Sequence, residues 1–208
     1  MKKRAKTKHE NRFQSAIAVF KKHGGMLRTT EAIRAGIHPD TLYSMRDYGT
    51  LERVSRGIYR LADSPPLGNP DLVTVAKRVP NGVICLISAL SFHDITTQIP
   101  HKVHVALTRG AEEPRLEFPP IWTYRFTGKA FTEGIETHEM DGVQIHIYSA
   151  EKTLADCFKF RNKTGLDTAI EALRLYRERR RVKVDEIMGF AATCRVTKIM
   201  RHYLGAIL

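Results

Sequence analysis

The sequence predicts an α+β protein in two parts: a small basic N-terminal domain, and a larger domain in which an antiparallel sheet is followed by helices. Three observations predict it. Positive charge is uneven along the 208 residues, prolines interrupt the chain at 63–70, and β-prone runs give way to helical periodicity after residue 149. Apolar residues make up 42% and charged residues 27%, which is ordinary for a globular chain and argues against disorder.

The net charge is +12, and most of it lies near the N-terminus. Residues 1–63 hold 14 Lys and Arg against six acids, a net of +8, whereas residues 64–208 hold 20 against 16, a net of +4. The predicted domains are therefore 1–63 and 71–208, joined by a proline-rich linker at 64–70. A charge excess of this kind favours a polyanionic partner for the first domain.

Three helices are predicted in the first domain, at 10–22, 31–35 and 39–48. Thr29 or Thr30 caps the second helix, and the third opens on Pro39. Only the turn 36–38, which contains glycine, separates the second and third helices. Two short helices joined in this way are a helix-turn-helix arrangement, with Ala32 at the close approach and Ile37, Leu42 and Met45 inward.

A hairpin is predicted at 51–61, where two β-prone runs flank a turn containing Gly57. A helix-turn-helix followed by a basic hairpin is a winged helix-turn-helix. Its third helix would enter the major groove of DNA, and its wing would lie along the phosphates. The predicted DNA contacts are Arg28, Thr29, Thr30, His38, Asp40, Thr41, Tyr43, Ser44, Arg46, Arg53, Arg56 and Arg60.

Two qualifications belong to this DNA-binding prediction. The third helix carries His38, Asp40, Thr41, Tyr43, Ser44 and Asp47 outward, so base readout rests on few hydrogen bonds and affinity comes largely from phosphates. Winged helices also serve as protein-interaction modules, and that alternative remains open.

The second domain is predicted to begin with a helix and to end in a group of helices. Asp141-Gly142 is a strong hairpin turn between two strands, and Ser149 begins the helical part. The predicted strands are 83–87, 102–108, 120–127, 135–140 and 143–148. The predicted helices are 71–79, 89–93, 150–161, 167–180, 185–193 and 196–206.

Candidate chemistry in the second domain is sparse, because the sequence has no phosphate loop, dinucleotide fingerprint or nucleophile elbow. One candidate metal group is His93, His101 and His104 with Asp94, although structural or surface histidines fit the spacing better. An acidic run, Glu133, Glu136, Glu139 and Asp141, is either half of a nuclease site or a solvated edge. We expect no cofactor and no metal.

Charged pairs near residue 150 suggest a partner surface. Lys152 and Asp156 lie one helical turn apart, so they form an exposed ion pair or, with Glu151, dock a partner. The basic run at 177–183 ends a helix and either extends a nucleic-acid surface or is a solvated terminus.

Cellular context is predicted from what the sequence lacks. No stretch approaches a membrane span, and the basic N-terminus has no apolar stretch after it, as a secretory signal would. Three scattered cysteines, Cys85, Cys157 and Cys194, are typical of reduced core thiols. We expect a cytoplasmic protein.

Several blocks resemble AbiEi-type antitoxins. In the first domain these are 24–32, 36–39, 51–53 and 56–61. In the second they are 88–100, read Ser-Ala-Leu-Ser-Phe-His-Asp-Ile-Thr-Thr-Gln-Ile-Pro, and 148–156, read Tyr-Ser-Ala-Glu-Lys-Thr-Leu-Ala-Asp. The chain departs from the family at Asp40 and Ser44, where its members are often more basic, so no operator sequence carries over.

The resemblance implies a bacterial toxin–antitoxin regulator without enzymatic activity. Its winged helix would repress its own operon, its second domain would counteract a nucleotidyltransferase-like toxin, and some relatives act in abortive infection. The alternative is a nucleic-acid-processing enzyme that the winged helix targets, with its site among the histidines and acids of 93–141.

Overall fold

The computed structural model describes the backbone of residues 2–207 and the side chains of residues 11–207. Contacts divide the chain into two compact units. The first comprises Met1–Lys77 and Glu139–Gln144, and the second comprises Arg78–His138 and Ile145–Leu208. In the part of the chain that is described, no helix is long and apolar enough to cross a membrane.

The first unit contains a helical segment and a small sheet. Its elements are α1 (Lys2–Lys22), β1 (Met26–Arg28), α2 (Thr29–Arg34), α3 (Pro39–Asp47), β2 (Leu51–Ser55), β3 (Ile58–Leu61) and most of α4 (Pro70–Arg78). The strands form an antiparallel sheet in the order β1-β3-β2. The predicted helices and hairpin are present, but α1 begins at Lys2 and not at residue 10, and Arg28 holds the cap position of α2 that was predicted for Thr29 or Thr30. Strand β1 was not predicted.

The core of the first unit lies between α1, α3 and the sheet. Ala32, Leu42 and Met45 are fully buried, and Ile37 is 5% exposed, so the predicted inward set is confirmed. Phe20 completes the set from α1, and its ring is also fully buried. These contacts fix α3 against the sheet and leave its opposite face outward.

Local capping explains where the two short helices begin. Glu31 Oε2 accepts the backbone N–H of Arg28 at 2.8 Å, so α2 begins at Thr29, two residues before its predicted start. His38 caps α3 by accepting the N–H of Asp40 at Nδ1, and Pro39 occupies the first helical position as predicted. Gly36, at φ +91°, makes the turn between the helices.

The second unit contains a five-stranded sheet and most of the helices. Its elements are β4 (Val83–Ile84), α5 (Leu86–Phe92), β5 (Val103–Thr108), β6 (Ile121–Phe126), α6 (Lys129–Thr132), β7 (Ile135–Met140), β8 (Val143–Tyr148), α7 (Ala150–Lys159), α8 (Arg161–Thr164), α9 (Leu166–Arg179), α10 (Val184–Thr193) and α11 (Thr197–Ile207). The β7–β8 turn belongs to the first unit by its contacts.

The α+β class is confirmed, but the larger sheet is mixed and not purely antiparallel. Its order is β6-β5-β4-β8-β7, and the β4–β8 and β5–β6 pairs are parallel. A parallel pair needs a long connection, which the segment 109–120 supplies between β5 and β6. Sequence alternation identifies strands without stating their relative direction, so the error lies in pairing.

Helix α7 lies at the centre of the second unit. Every residue from Ala150 to Phe158 is buried, and α5, α9 and α10 all pack against this helix. A helix covered on all sides must bury whatever polar groups its sequence carries, and those groups then need partners.

Candidate nucleic-acid interface

The outer face of α3, with its cap residue, carries half of the predicted contact residues. His38, Asp40 and Arg46 are exposed, and the Tyr43 ring is 40% exposed. Two further predicted residues, Thr41 and Ser44, are partly buried. Together they form one polar surface with short hydroxyl-bearing side chains near its middle.

Arg46 is the single cation of α3 and is already paired. Its Nε and Nη2 donate to Asp47 Oδ1 at 2.8 and 2.6 Å, and its guanidinium lies 5.5 Å from the centre of the Tyr43 ring. The exposed pair is worth little to stability, so it can open when a phosphate approaches. The charges of α3 therefore sum to −1, because Asp40 is left after Arg46 and Asp47 cancel.

A cation of α1, which was not among the predicted DNA contacts, lies close to the start of α3. Arg12 and Ser15 of α1 line a groove whose other wall includes His38, Asp40 and Thr41. The signal in the sequence was available, because Arg12 lies one and two helical turns before the buried Ala16 and Phe20, on the side of α1 that faces the rest of the unit. Arg12 places a positive charge beside α3, whose own charges sum to −1.

The start of α2 and the turn of the wing are joined by hydrogen bonds. Thr29 donates its N–H to the carbonyl of Gly57 at 2.9 Å, and its hydroxyl donates to the same oxygen at 3.4 Å. Arg28 and Thr29 are partly buried and Thr30 is exposed. This contact places the N-terminus of a helix beside the turn that carries Arg56.

Two of the three predicted wing arginines are exposed. Arg53 lies on β2, where its Nε donates weakly to the carbonyl of Ser55 at 3.4 Å, and Arg56 occupies the turn before Gly57. A bulge between Arg53 and Ser55 shifts the register there, and Gly57 adopts φ +71°. The wing thus presents two guanidinium groups on a tight hairpin.

Arg60, the third predicted wing arginine, is turned inward, which corrects its assignment as a DNA contact. It is only 6% exposed, and its Nη2 donates to the carbonyls of Ser64 and Pro65, both at 2.7 Å. Its Nε lies 2.6 Å from Glu52 Oε1. Arg60 therefore ties the hairpin to the segment that follows it, a partnership that strand alternation could not reveal.

The predicted partner surface around Lys152 is wrong. Lys152 and Asp156 are both 0% exposed, and the Lys152 Nζ lies 2.6 Å from each carboxylate oxygen. Glu151 is also buried, where its Oε1 accepts the Tyr176 hydroxyl at 2.7 Å. The pair exists, but it lies inside the second unit, because α7 is covered on every side.

This buried pair has further partners. The Lys152 ammonium lies 4.3 Å from the centre of the Tyr148 ring, and the Cys194 thiol donates to Asp156 Oδ1 at 3.1 Å. Burial raises the pKa of Asp156, and the Lys152 ammonium opposes that rise. Burial also raises the pKa of Cys194 to about 12, so this thiol is protonated and unreactive at neutral pH.

The candidate histidine group does not converge. His93 is buried and its Nε2 lies 2.7 Å from the carbonyl of Tyr148, His104 is buried in β5, and His101 is exposed. Asp94 pairs instead with Arg179 at 2.8 Å. Across the described residues, no three His, Cys, Asp or Glu side chains are placed to hold a metal ion.

Other charged runs of the second unit also have local partners. In the basic run, Arg179 and Arg180 donate to the carbonyls of Asp94 and His93, and Arg177 donates to that of Ile207. These guanidinium groups therefore satisfy carbonyls just after α5 and near the end of α11. In the acidic run, Glu133 accepts the Thr193 hydroxyl and Glu136 pairs with His138.

The first unit has the architecture of a winged helix-turn-helix domain, in which α3 is the outward helix and the β2–β3 hairpin is the wing. Residues 14–62 match the family model described as "Transcriptional regulator, AbiEi antitoxin". For this segment, the match confirms the resemblance to AbiEi-type antitoxins.

One solved structure extends the comparison to most of the chain. The crystal structure of the RV2827C protein from Mycobacterium tuberculosis superposes with a TM-score of 0.56 at 11% sequence identity, covering 86% of this chain and 71% of that one. At this identity the likeness concerns the fold alone. Comparison with curated proteins gives no significant match.

Proposed function

We propose that the protein is a DNA-binding antitoxin that represses its own promoter. Its α3 would enter the major groove, with Thr41 and Ser44 toward the base edges, while Arg53 and Arg56 on the wing would contact phosphates. The observation that carries the proposal is the pairing of an outward α3 with an exposed basic wing, inside the segment that matches the regulator family.

The balance of forces in this proposal favours phosphates over bases. The surface of α3 offers short polar side chains and one arginine already paired with Asp47, whereas Arg12, Arg53 and Arg56 lie exposed around it. Binding should therefore be strong on many sequences and only moderately selective. Selectivity would come from a few hydroxyl contacts and from DNA shape.

A fluorescence anisotropy titration of the protein against its own upstream DNA tests the proposal. We expect log K to fall linearly with log salt, with a slope of about −0.9 for each phosphate contacted. Arg56→Ala should weaken binding to promoter and unrelated duplexes alike and make the slope shallower by about 1. A slope near zero would falsify the proposal.

A matched pair of variants separates the two elements. Thr41→Ala and Ser44→Ala should reduce the preference for the promoter over unrelated DNA and leave the salt slope almost unchanged. If Arg56→Ala alters preference while the two helix variants do not, the roles of wing and helix are reversed.

We further propose that the second unit counteracts a nucleotidyltransferase-like toxin. Support comes from the sequence blocks 88–100 and 148–156, which resemble the antitoxins and meet in the fold where His93 contacts the carbonyl of Tyr148. Co-expression of the toxin encoded next to this gene with the full-length Arg53→Ala/Arg56→Ala variant tests this role. Growth should be preserved although promoter repression is lost. Loss of both together would mean that protection works only through DNA binding.

A further inference from the structure

The edge of the larger sheet exposes the single tryptophan of the chain. Trp122 lies on β6, the outermost strand, and is 47% exposed. Tyr124 and Phe126, the next residues on the same face of β6, are 2% and 1% exposed. A large aromatic ring that stays half exposed beside buried neighbours is a frequent sign of a binding surface.

The Trp122 ring is held in place by other rings. Trp122 is paired with His104 of the adjacent strand β5, and their ring centres lie 5.9 Å apart. The Tyr124 ring stacks with Trp122 at 6.1 Å and lies 5.4 Å from His104. Burial lowers the pKa of His104 to about 4, so the ring beneath Trp122 is uncharged at neutral pH. The tryptophan is therefore a preorganised platform.

Two lysines flank this platform. The Lys102 ammonium lies 5.6 Å from the centre of the Trp122 ring, and the Lys163 ammonium lies 5.7 Å from the centre of the Tyr124 ring. Both side chains are exposed, and within the described part of the chain neither ammonium has a carboxylate partner at ion-pair distance. An exposed aromatic ring with unneutralised cations around it is complementary to a flat ligand that carries negative charge.

We propose that this surface, formed by Trp122, Lys102 and Lys163, binds single-stranded nucleic acid. A nucleobase would stack on Trp122 in place of the Lys102 ammonium, and the lysines would move onto the adjoining phosphates. An acidic protein segment would satisfy the lysines but offers no flat ring for the tryptophan. The inference goes beyond the proposed function, because it concerns unpaired strands and a surface of the second unit.

Tryptophan fluorescence reports on this surface alone, because Trp122 is the only tryptophan. The full-length protein is titrated with an eight-nucleotide oligo(dT) and an eight-nucleotide oligo(U). We expect quenching that saturates, with an affinity that falls as salt rises, at a slope of about −0.7 per phosphate contacted. Quenching by only one oligonucleotide assigns the site to DNA or to RNA, and absence of quenching by both overturns the proposal.

Variants locate the binding energy. In an Arg53→Ala/Arg56→Ala background, which removes the proposed wing contacts, anisotropy of the labelled oligonucleotide should show roughly 5- to 100-fold weaker binding for Trp122→Ala. Trp122→Phe should recover most of the loss and guards against a folding defect. Lys102→Ala and Lys163→Ala should each make the salt slope shallower by about 0.7, whereas Lys129→Ala, an exposed lysine paired with Glu133, should not.

Poly-L-glutamate provides the decisive competitor, since it has the charge without the bases. It should neither quench Trp122 nor displace the oligonucleotides at equal charge concentration. Equal quenching by poly-L-glutamate would overturn the nucleobase assignment and indicate an acidic protein partner instead. Binding of the duplex promoter by Lys102→Ala and Lys163→Ala is measured in parallel and should be unchanged, so failure here is distinct from failure of the proposed function.

Discussion

In the N-terminal unit, Arg53 and Arg56 lie exposed on the wing, whereas in the C-terminal unit Lys152 lies fully buried inside α7. The exposed arginines contribute little to holding the fold, since interactions of a solvated charge add little to stability. Lys152 has the opposite character, because its ammonium depends on Asp156 for compensation. Basic side chains are thus accessible to a ligand in one unit, whereas in the other a basic side chain is part of the buried core.

Arg60 shows that the difference between accessible and structural basic residues depends on burial and not on which unit holds the residue. It belongs to the same hairpin as Arg53, yet its guanidinium is enclosed by two carbonyls and Glu52. Counting basic residues on a motif therefore overstates the charge that the motif offers to DNA. What matters is which guanidinium groups have no buried acceptors of their own.

The largest expected effect comes from breaking the buried pair. Lys152→Met leaves the Asp156 carboxylate buried without its cation, which should lower the free energy of unfolding by about 3–5 kcal/mol. Urea denaturation followed by circular dichroism measures the change. The double variant Lys152→Met/Asp156→Leu removes both charges and should regain much of the loss; a double variant as unstable as the single one would show that shape, not charge compensation, dominates there.

Arg60 and Arg53 form a matched pair for the next largest effect. Arg60→Met removes the bonds to the Ser64 and Pro65 carbonyls and should cost about 1.5–3 kcal/mol of stability, since hydrogen bonds to a charged group are lost. Arg53→Met should change stability by less than about 0.5 kcal/mol but weaken duplex binding. Urea denaturation and anisotropy of both variants check this, and the reverse pattern would contradict the assigned roles.

The last expected effect vanishes at neutral pH and concerns the pH dependence of stability through His104. Its folded pKa of about 4 is below the unfolded value of about 6.5, so the folded state favours the neutral ring. The contribution is complete above pH 6.5 and is lost as the pH falls from 6.5 toward 4. The loss of unfolding free energy reaches about 2 kcal/mol at pH 5. His104→Gln should flatten this part of the stability profile, whereas His101→Gln, at an exposed position, should leave its slope intact.

The sequence predicts well what depends on neighbours along the chain. The proline that begins α3, the glycine turns and the Asp141-Gly142 hairpin all follow from local geometry, and Asp141 and Gly142 have φ of +51° and +72°. The inward face of the first unit follows from periodicity, which Leu42 and Met45 confirm. Strand β1 was not predicted because three residues are too few to show an alternating pattern. Its pairing with β3 stabilises it as a strand.

What depends on distant residues could not be predicted. The parallel pairs of the larger sheet arise from long connections, which alternation does not encode. In the sequence, Lys152 and Asp156 have the spacing of a solvated i, i+4 pair. The sequence of their own helix does not indicate that three other helices cover it. The inward turn of Arg60 depends on two carbonyls that follow the hairpin. The contact residues proposed on α3 and the wing, and the boundary at residue 63, stay predictions.

Enclosure of α7 on every side has a consequence for how the second unit opens. Gly134, at φ +74°, approaches the Lys152 side chain so closely that a Cβ there would lie 2.7 Å from the Cβ of Lys152. Helices α5, α9 and α10 cover the rest of α7. The amides of Lys152 to Phe158 can therefore reach solvent only when these neighbours separate from α7. In native-state hydrogen exchange we expect these amides to exchange last and together, with an opening free energy equal to that of global unfolding. A ligand that binds elsewhere on this unit would slow all of them by the same factor, making α7 an internal reporter for any partner.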